Sequence, residues 1–344
     1  MGKLALAWLL GAGIATATPA EPSLVRYSFD RTIMSIPIKL LLYAPDKTTA
    51  NRAAKAAFDR IAQLDDILSD YEAESELNRL CDTSGEGRAV PVSEELWTVL
   101  THSQTISELS GGAFDVTVKP VVHLWRRARR TKEVPSAEKI KEALELVGYK
   151  NIRLDVEHHA VELKKHGMRL DLGGIAKGYI GDQAIHVLRK QGVSCAMVHA
   201  GGDIRLGDPP PGKTGWTIGV APPRADAPPT LYLSLANCAI STSGDMFQYV
   251  DIGGKRYSHV VDPKTGLGLT DRSITTVVAP EGITSDGLSK VVAVLGPEKS
   301  FKLIDKVPGV SAMVLRARDG DLRQYRSARW KDLPATQPEA ATTK

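Results

Sequence analysis

Apolar residues at Ile36, Ile38, Leu40 and Leu42 alternate with other positions, the period of a strand with one buried face. The period then changes. Phe58, Ile61, Leu64, Ile67 and Leu68 recur at helical spacing, and Asp46 or Thr48 can cap the start of that helix. A second helix is predicted from a Ser93 cap to the turn at Gly111-Gly112, and a third over 136–147 with Gly148 as its stop. Segments 152–156 and 160–164 read as a hairpin around Glu157-His158-His159. A strand at 168–172 leads into Gly173-Gly174, and a helix then runs to about Gln191, closed by Gly192. Beyond it the pattern predicts strands at 194–199, 215–220, 230–235, 246–252, 256–261 and 273–279, with one helix at about 284–295. Strands outnumber helices and short turns separate many of them. The expected class is therefore α+β, with mainly antiparallel sheets and helices packed on them. No internal repeat is visible.

Composition narrows the field without naming a chemistry. The 344 residues are 42% hydrophobic and 24% charged, ordinary values for a globular chain with a sizeable core. A net charge of +4 is too mild to argue for nucleic acid. The one dense basic run, Arg126, Arg127, Arg129, Arg130 and Lys132, reads either as a solvated segment or as a patch that meets an anionic partner. At the N-terminus, Lys3 precedes an apolar run from Leu4 to Ala15, followed by the small-residue sites Ala15-Thr16-Ala17 and Thr18-Pro19-Ala20. This order reads as a secretory signal over 1–20, so the expected location is periplasmic. No later run approaches the ~18 apolar residues of a membrane span. One domain is expected over 21–333, with a disordered Ala/Thr-rich tail over 334–344. Three cysteines, Cys81, Cys195 and Cys238, form no CxxC pair, which argues against both a disulfide scaffold and a zinc site.

Five segments carry candidate chemistry. In Asp171-Leu172-Gly173-Gly174-Ile175-Ala176-Lys177-Gly178 a strand gives way to a helix start with a lysine in its first turn, where free N–H groups suit a phosphate. Its spacing is neither a P-loop nor a GxGxxG turn, and alone it serves equally as an ordinary glycine turn. Ala200-Gly201-Gly202-Asp203-Ile204-Arg205 again sets glycines beside charges, and Ile240-Ser241-Thr242-Ser243-Gly244-Asp245 is a run of small donors able to face an anion. Both also fit plain turns. His259 sits beside the Asp262-Pro263-Lys264-Thr265-Gly266 turn, and Gly111-Gly112-Ala113-Phe114-Asp115 precedes Val116-Thr117-Val118-Lys119-Pro120.

Together and in this order, GGAFDVTVKP, DLGGIAKG, AGGDIR, ISTSGD and SHVVDPKTG resemble the FAD:protein FMN transferase (ApbE-like) family over about residues 30–300. Ser69-Asp70-Tyr71 followed by Ser75-Glu76-Leu77-Asn78 matches a further family motif, and Met34 matches an early one in its methionine alone. The resemblance implies an ApbE-like fold and an FAD site lined by Met34, Tyr71, Ala113, Phe114 and Asp115. Asp171 and Lys177 would contact the flavin nucleotide, with His259 beside the pyrophosphate. Lys177, Asp286 and His259 would carry the chemistry. The implied reaction moves FMN from FAD to a Thr or Ser hydroxyl of an exported flavoprotein and releases AMP. The alternatives are FAD pyrophosphatase activity, or flavin binding without turnover. The resemblance also implies Mg²⁺ on the backbone carbonyl of Gly174 and on Asp286, completed by a threonine four residues further along. Lys290 stands at that place. An ammonium cannot ligate Mg²⁺, and at i,i+4 it can pair with Asp286. Lys290 then either replaces part of the metal's charge or swings to solvent and leaves Mg²⁺ to Gly174, Asp286 and waters.

Overall fold

The structure, a computed structural model, describes residues 23–220, 227–244, 248–318 and 321–338. The segment over 1–20 expected to be a signal, and Asp245, lie outside them. The chain opens with β1 (Val25–Ile33) and β2 (Ile36–Ala44), then α1 (Lys47–Leu68), α2 (Glu76–Asp82), β3 (Val90–Pro91) and α3 (Glu94–Leu109). Next come α4 (Lys119–Thr131), α5 (Ala137–Glu145), β4 (Ile152–Asp155), β5 (Ala160–Leu163) and α6 (Ala176–Lys190). Strands β6 (Ala196–Ala200), β7 (Asp203–Leu206), β8 (Trp216–Val220), β9 (Leu231–Leu235) and β10 (Ala239–Gly244) follow. The chain continues through β11 (Tyr249–Ile252), β12 (Lys255–Ser258), β13 (Ser273–Ala279) and α7 (Gly282–Ile304) to β14 (Ser311–Arg318), β15 (Asp321–Arg326) and β16 (Ala335–Thr336).

One antiparallel sheet of eight strands, ordered β1-β2-β6-β7-β10-β13-β14-β15, forms the middle layer. Its pleat sorts side chains between two cores. On β2, Ile38, Leu40 and Leu42 point to the face covered by α1, α6 and α7, while Leu41 points to the opposite face. There the small sheet β16-β9-β8 supplies Trp216, Ile218 and Leu233. A satellite cluster of Val121, Trp125, Ala128 and Val250 binds α4 to the β11-β12 hairpin. The α+β class with antiparallel sheets is as the pattern predicted.

Several elements differ from expectation. Segment 168–172 has Met168, Leu170 and Leu172 buried, as a strand would, but it joins no ladder. Its neighbours are not strands: Leu170 N–H donates to Cys81 Sγ at 3.3 Å, and Asp171 N–H donates to the Val116 carbonyl at 2.8 Å. Strands β7 and β10 escaped the pattern because Asp203, Arg205 and the Ser/Thr run of β10 look like turn chemistry. In the fold they are interior strands of the large sheet. The basic run lies in α4, an amphipathic helix with Trp125 inward. Helix α7 is interrupted after its first half: Gly296 adopts φ 69° ahead of Pro297. Ala335 and Thr336, the second and third residues of the expected tail, pair with β9.

Candidate functional site

The site begins where two helices touch. A Cβ on Gly178 of α6 would lie 2.0 Å from the Gly282 carbonyl oxygen of α7, so only glycine permits this crossing. Asp182, one turn along α6, accepts from the N–H groups of Gly282 and Ile283 at 2.8 and 2.9 Å and so caps α7. Arg205 Nε donates to the same carboxylate at 2.6 Å. The crossing puts Lys177, at the start of α6, against Asp286, in the first turns of α7.

Lys177 Nζ lies 3.2 Å from Asp203 Oδ2 and 3.3 Å from Asp286 Oδ2, and donates to the Gly173 carbonyl at 2.8 Å. Asp286 is fully buried. Its Oδ2 also accepts from Gly178 N–H at 3.2 Å, and its Oδ1 accepts from Lys290 Nζ at 2.8 Å. Burial alone would raise the Asp286 carboxyl, but the two ammoniums overcome it and hold the group below the usual carboxylate range. For Lys177, burial pulls downward and the charges of Asp203 and Asp286 prevail, keeping it firmly protonated. Asp203 moves the other way, raised by burial and then by the neighbouring Asp286 charge. Behind these groups, hydroxyls join β10 to α7: Ser241 to Ser285 at 2.8 Å and Ser243 to Ser289 at 2.7 Å.

A second network forms the rim. Arg126 Nη1 lies 2.8 Å from Asp70 Oδ2, and its Nη2 lies 3.0 Å from Asp171 Oδ2. The same guanidinium sits 4.3 Å over the Tyr71 ring. Lys119 Nζ donates to the Asp70 carbonyl at 2.8 Å and to Asn78 Oδ1 at 3.2 Å. Tyr71 itself is 73% exposed, a flat aromatic surface open to a ligand. Burial and the nearby Asp70 charge raise the Asp171 carboxyl, while its Oδ1 accepts from Gly173 N–H at 2.8 Å and shapes the glycine turn.

The remaining expected residues sort into lining and framework. The Phe114 ring and the Lys290 stem both lie against Gly174: a Cβ there would be 3.4 Å from Phe114 Cε2 and 3.2 Å from Lys290 Cγ. Ala113 is buried beside Phe114. Asp115 is buried with its oxygens used inside the protein, accepting from Thr117 N–H and Oγ1 at 2.9 and 2.6 Å and from Tyr149 N–H at 2.8 Å. It holds the 113–118 segment in shape. Met34 occupies the β1-β2 turn, where Met34 and Ser35 both adopt positive φ.

His259 follows β12 rather than lying within it. Its Nδ1 lies 3.1 Å from the Gln248 carbonyl, which can only accept, so Nδ1 carries the proton and Nε2 keeps its lone pair. Burial, followed by the Lys290 ammonium, lowers its pKa from 6.5 to about 4. At neutral pH the ring is an uncharged acceptor.

The structure therefore unites four of the five motifs around one ionic cluster, through Lys177, Asp203, Ser243 and Phe114. Gly202 joins Thr242 directly, accepting from Thr242 N–H at 2.9 Å. The single-residue reading passed over Asp203, Ser243, Arg126 and Asp70. Asp203 and Ser243 lay within quoted motifs. Arg126 was hidden in a basic run whose other members gave no reason to single it out.

A divalent ion does not fit this donor set as arranged. Mg²⁺ requires oxygen ligands at about 2.0–2.1 Å. Both oxygens of Asp286 are already held by ammoniums, and the Lys290 side chain is only 16% exposed. It does not swing to solvent. Among the described residues, no group of three or more His, Cys, Asp or Glu is arranged to hold a metal.

Comparison with known proteins agrees with this geometry. A sequence model of the ApbE family matches residues 32–314. The chain is 32% identical over 297 residues to an FAD:protein FMN transferase of Klebsiella pneumoniae, covering 85% of this chain and 90% of that one. It is 31% identical over 278 residues to the Treponema pallidum protein of the same name, covering 76% of each. Among solved structures, the ApbE protein of Thermotoga maritima superposes with a TM-score of 0.80 at 30% identity, over 89% of this chain and 98% of that one. The flavin transferase ApbE of Vibrio cholerae gives 0.80 at 26% identity, over 90% and 100%.

Proposed function

The chain belongs to the ApbE family, and from that premise we propose that it is an FAD:protein FMN transferase acting on a Thr or Ser hydroxyl of a second protein. The acceptor oxygen bonds to the FMN-side phosphorus of FAD, the bond from that phosphorus to the bridging oxygen breaks, AMP departs with that oxygen, and the hydroxyl proton is released. Such a transfer depends on in-line positioning and on neutralising phosphate charge rather than on a covalent enzyme intermediate. The observation that carries the reading is Lys177. Its ammonium is clamped by Asp203 and Asp286 at a helix start, beside the glycine turn and the Phe114 ring.

The other residues take supporting parts. Tyr71 offers an aromatic surface to a flavin, Phe114 backs the glycine turn from within the core, and Arg126 fixes Tyr71 while joining Asp70 to Asp171. His259, neutral with Nε2 open, can accept a hydrogen bond from the attacking hydroxyl or from a protonated phosphate oxygen. Magnesium on the Gly174 carbonyl and Asp286 would have to displace Lys290, and no step is drawn through it. The acceptor is an exported flavoprotein subunit, and the Leu4–Ala15 run with its small-residue sites supports export to the periplasm. No helix among the described residues is long and apolar enough to cross a membrane.

The test is incubation with FAD and a candidate acceptor, with AMP and the mass of both proteins measured. A mass increase of one FMN on the acceptor, with AMP in equal amount, is expected, and Lys177→Ala should depress both. AMP without an adduct would mean hydrolysis. Flavin binding without AMP would mean a binding protein.

A further inference from the structure

Lys290 is more completely built in than a surface lysine needs to be. Its ammonium has three protons and three partners: Asp286 Oδ1 at 2.8 Å, Ser243 Oγ at 2.8 Å and Ser289 Oγ at 3.1 Å. Those partners come from α7 and from β10, so both sides of the pocket wall shape the position. The stem crosses the face of Gly174, where a side chain would press on Cγ at 3.2 Å and on Cε at 3.7 Å. Gly174 thus leaves the space that the lysine fills. Asp286 lies between Lys290 on Oδ1 and Lys177 on Oδ2.

The charges decide what such a place can hold. Lys177 and Lys290 balance Asp203 and Asp286. A threonine at position 290 would leave one ammonium between two buried carboxylates, a net negative site that attracts a divalent ion. With lysine the deficit is already filled. A cation ligated by Asp286 Oδ1 would stand beside the ammonium that now occupies that oxygen, and the repulsion at such range in a dry pocket is severe.

Resting on the transferase reading above, we propose that Lys290 is a resident cation of this site, and that this enzyme binds and positions FAD without a divalent metal. The ammonium shares Asp286 with Lys177, and so leaves more of the Lys177 charge to act on the pyrophosphate. It neutralises less than Mg²⁺ and cannot bridge two phosphate oxygens, so turnover is slower and indifferent to added metal.

The experiment compares wild type, Lys290→Thr and Lys290→Met after removal of metals with EDTA. Mn²⁺ binding is followed by electron paramagnetic resonance without flavin, and FAD affinity by flavin fluorescence with EDTA or with millimolar Mg²⁺. In wild type no stoichiometric Mn²⁺ binding is expected, and the FAD dissociation constant should change by less than about twofold between the two buffers. Lys290→Thr should weaken FAD by about tenfold in EDTA and recover with Mg²⁺, since it restores an oxygen ligand and removes the competing charge. Lys290→Met, unbranched and one atom shorter, neutral and without a hard ligand, should lose affinity in EDTA and serves if the threonine variant folds poorly. One Mn²⁺ bound per wild-type chain, or wild-type affinity that collapses in EDTA, overturns the inference and leaves the flavin assignment standing. Absence of FAD binding in both buffers overturns the flavin assignment instead, and the Mn²⁺ measurement still decides the metal question.

Discussion

Two ionic networks flank the cleft, and they are built on opposite principles. The inner one, Lys177, Lys290, Asp203 and Asp286, lies between α6, α7 and the large sheet, with a carboxylate at 0% exposure. The outer one, Arg126, Asp70 and Asp171, is held on α4 and two turns, and its guanidinium stacks on a ring that is largely open to solvent. A buried pair is sensitive to the loss of either partner because the survivor keeps its desolvation cost without its counter-charge. The outer carboxylates are also largely buried, 7% and 11% exposed, but the Arg126 guanidinium that joins them lies beside the open Tyr71 ring, where water can enter when it goes. The inner network therefore sets the charge of the pocket, while the outer one sets the placement of an aromatic wall.

The strongest way to break this contrast is to delete the shared inner carboxylate. Asp286→Ala takes the carboxylate from Lys290, leaves Lys177 with Asp203 and removes the acceptor for Gly178 N–H. A loss of about 3–5 kcal/mol in unfolding free energy is expected, read by urea denaturation. A loss under about 1 kcal/mol would show that water reaches the inner network as freely as the rim. Arg126→Ala should cost less, about 1–2 kcal/mol, and should weaken FAD by freeing Tyr71, read by denaturation and flavin fluorescence. Arg126→Lys should restore charge but not the simultaneous link to Asp70 and Asp171. Equal costs for Arg126→Ala and Asp286→Ala would erase the distinction between the networks.

The smallest effect concerns protons. Burial first, then the charges of Lys290, Lys177 and Arg129, lowers the pKa of His259 to about 4 from 6.5. The folded protein binds fewer protons there than the unfolded chain. The stability linked to this histidine is full above about pH 6.5 and is lost as pH falls through about 4. Nuclear magnetic resonance of the ring should show one histidine titrating near 4, and Lys290→Thr should move it upward. A His259 that titrates near 6.5 in wild type would place the ammonium field elsewhere.

Much of this was legible along the chain, for identifiable reasons. The Asp46, Ser93 and Ser136 caps start helices where predicted, each accepting from a backbone N–H three residues on. The turns at Gly111-Gly112 and Gly148 end elements as expected, because positive φ at glycine is a local property. Local signals failed where partners were distant. Segment 168–172 has the alternation of a strand but lies against helices, so its amides find a cysteine sulfur and a turn carbonyl instead of a ladder. The polar strands β7 and β10 look like loops until the sheet on both sides supplies their hydrogen bonds.

The site divides along the same line. Helical periodicity alone places Asp286 and Lys290 on one face, because residues four apart on a helix are neighbours wherever the helix lies. The ordered glycine and serine motifs, read together, resemble those of the ApbE family, and that resemblance implies a flavin nucleotide. Tertiary structure alone decided that Lys177 reaches Asp286 across 109 residues of sequence, that Asp203 joins them from β7, and that Arg126 leaves its basic run to hold Tyr71. Those contacts depend on a helix crossing that closes only because Gly178 and Gly282 lack side chains. Local spacing encodes which residues share a face. The distance between two faces is set by packing, and here packing turned four charges into one neutral, enclosed cluster.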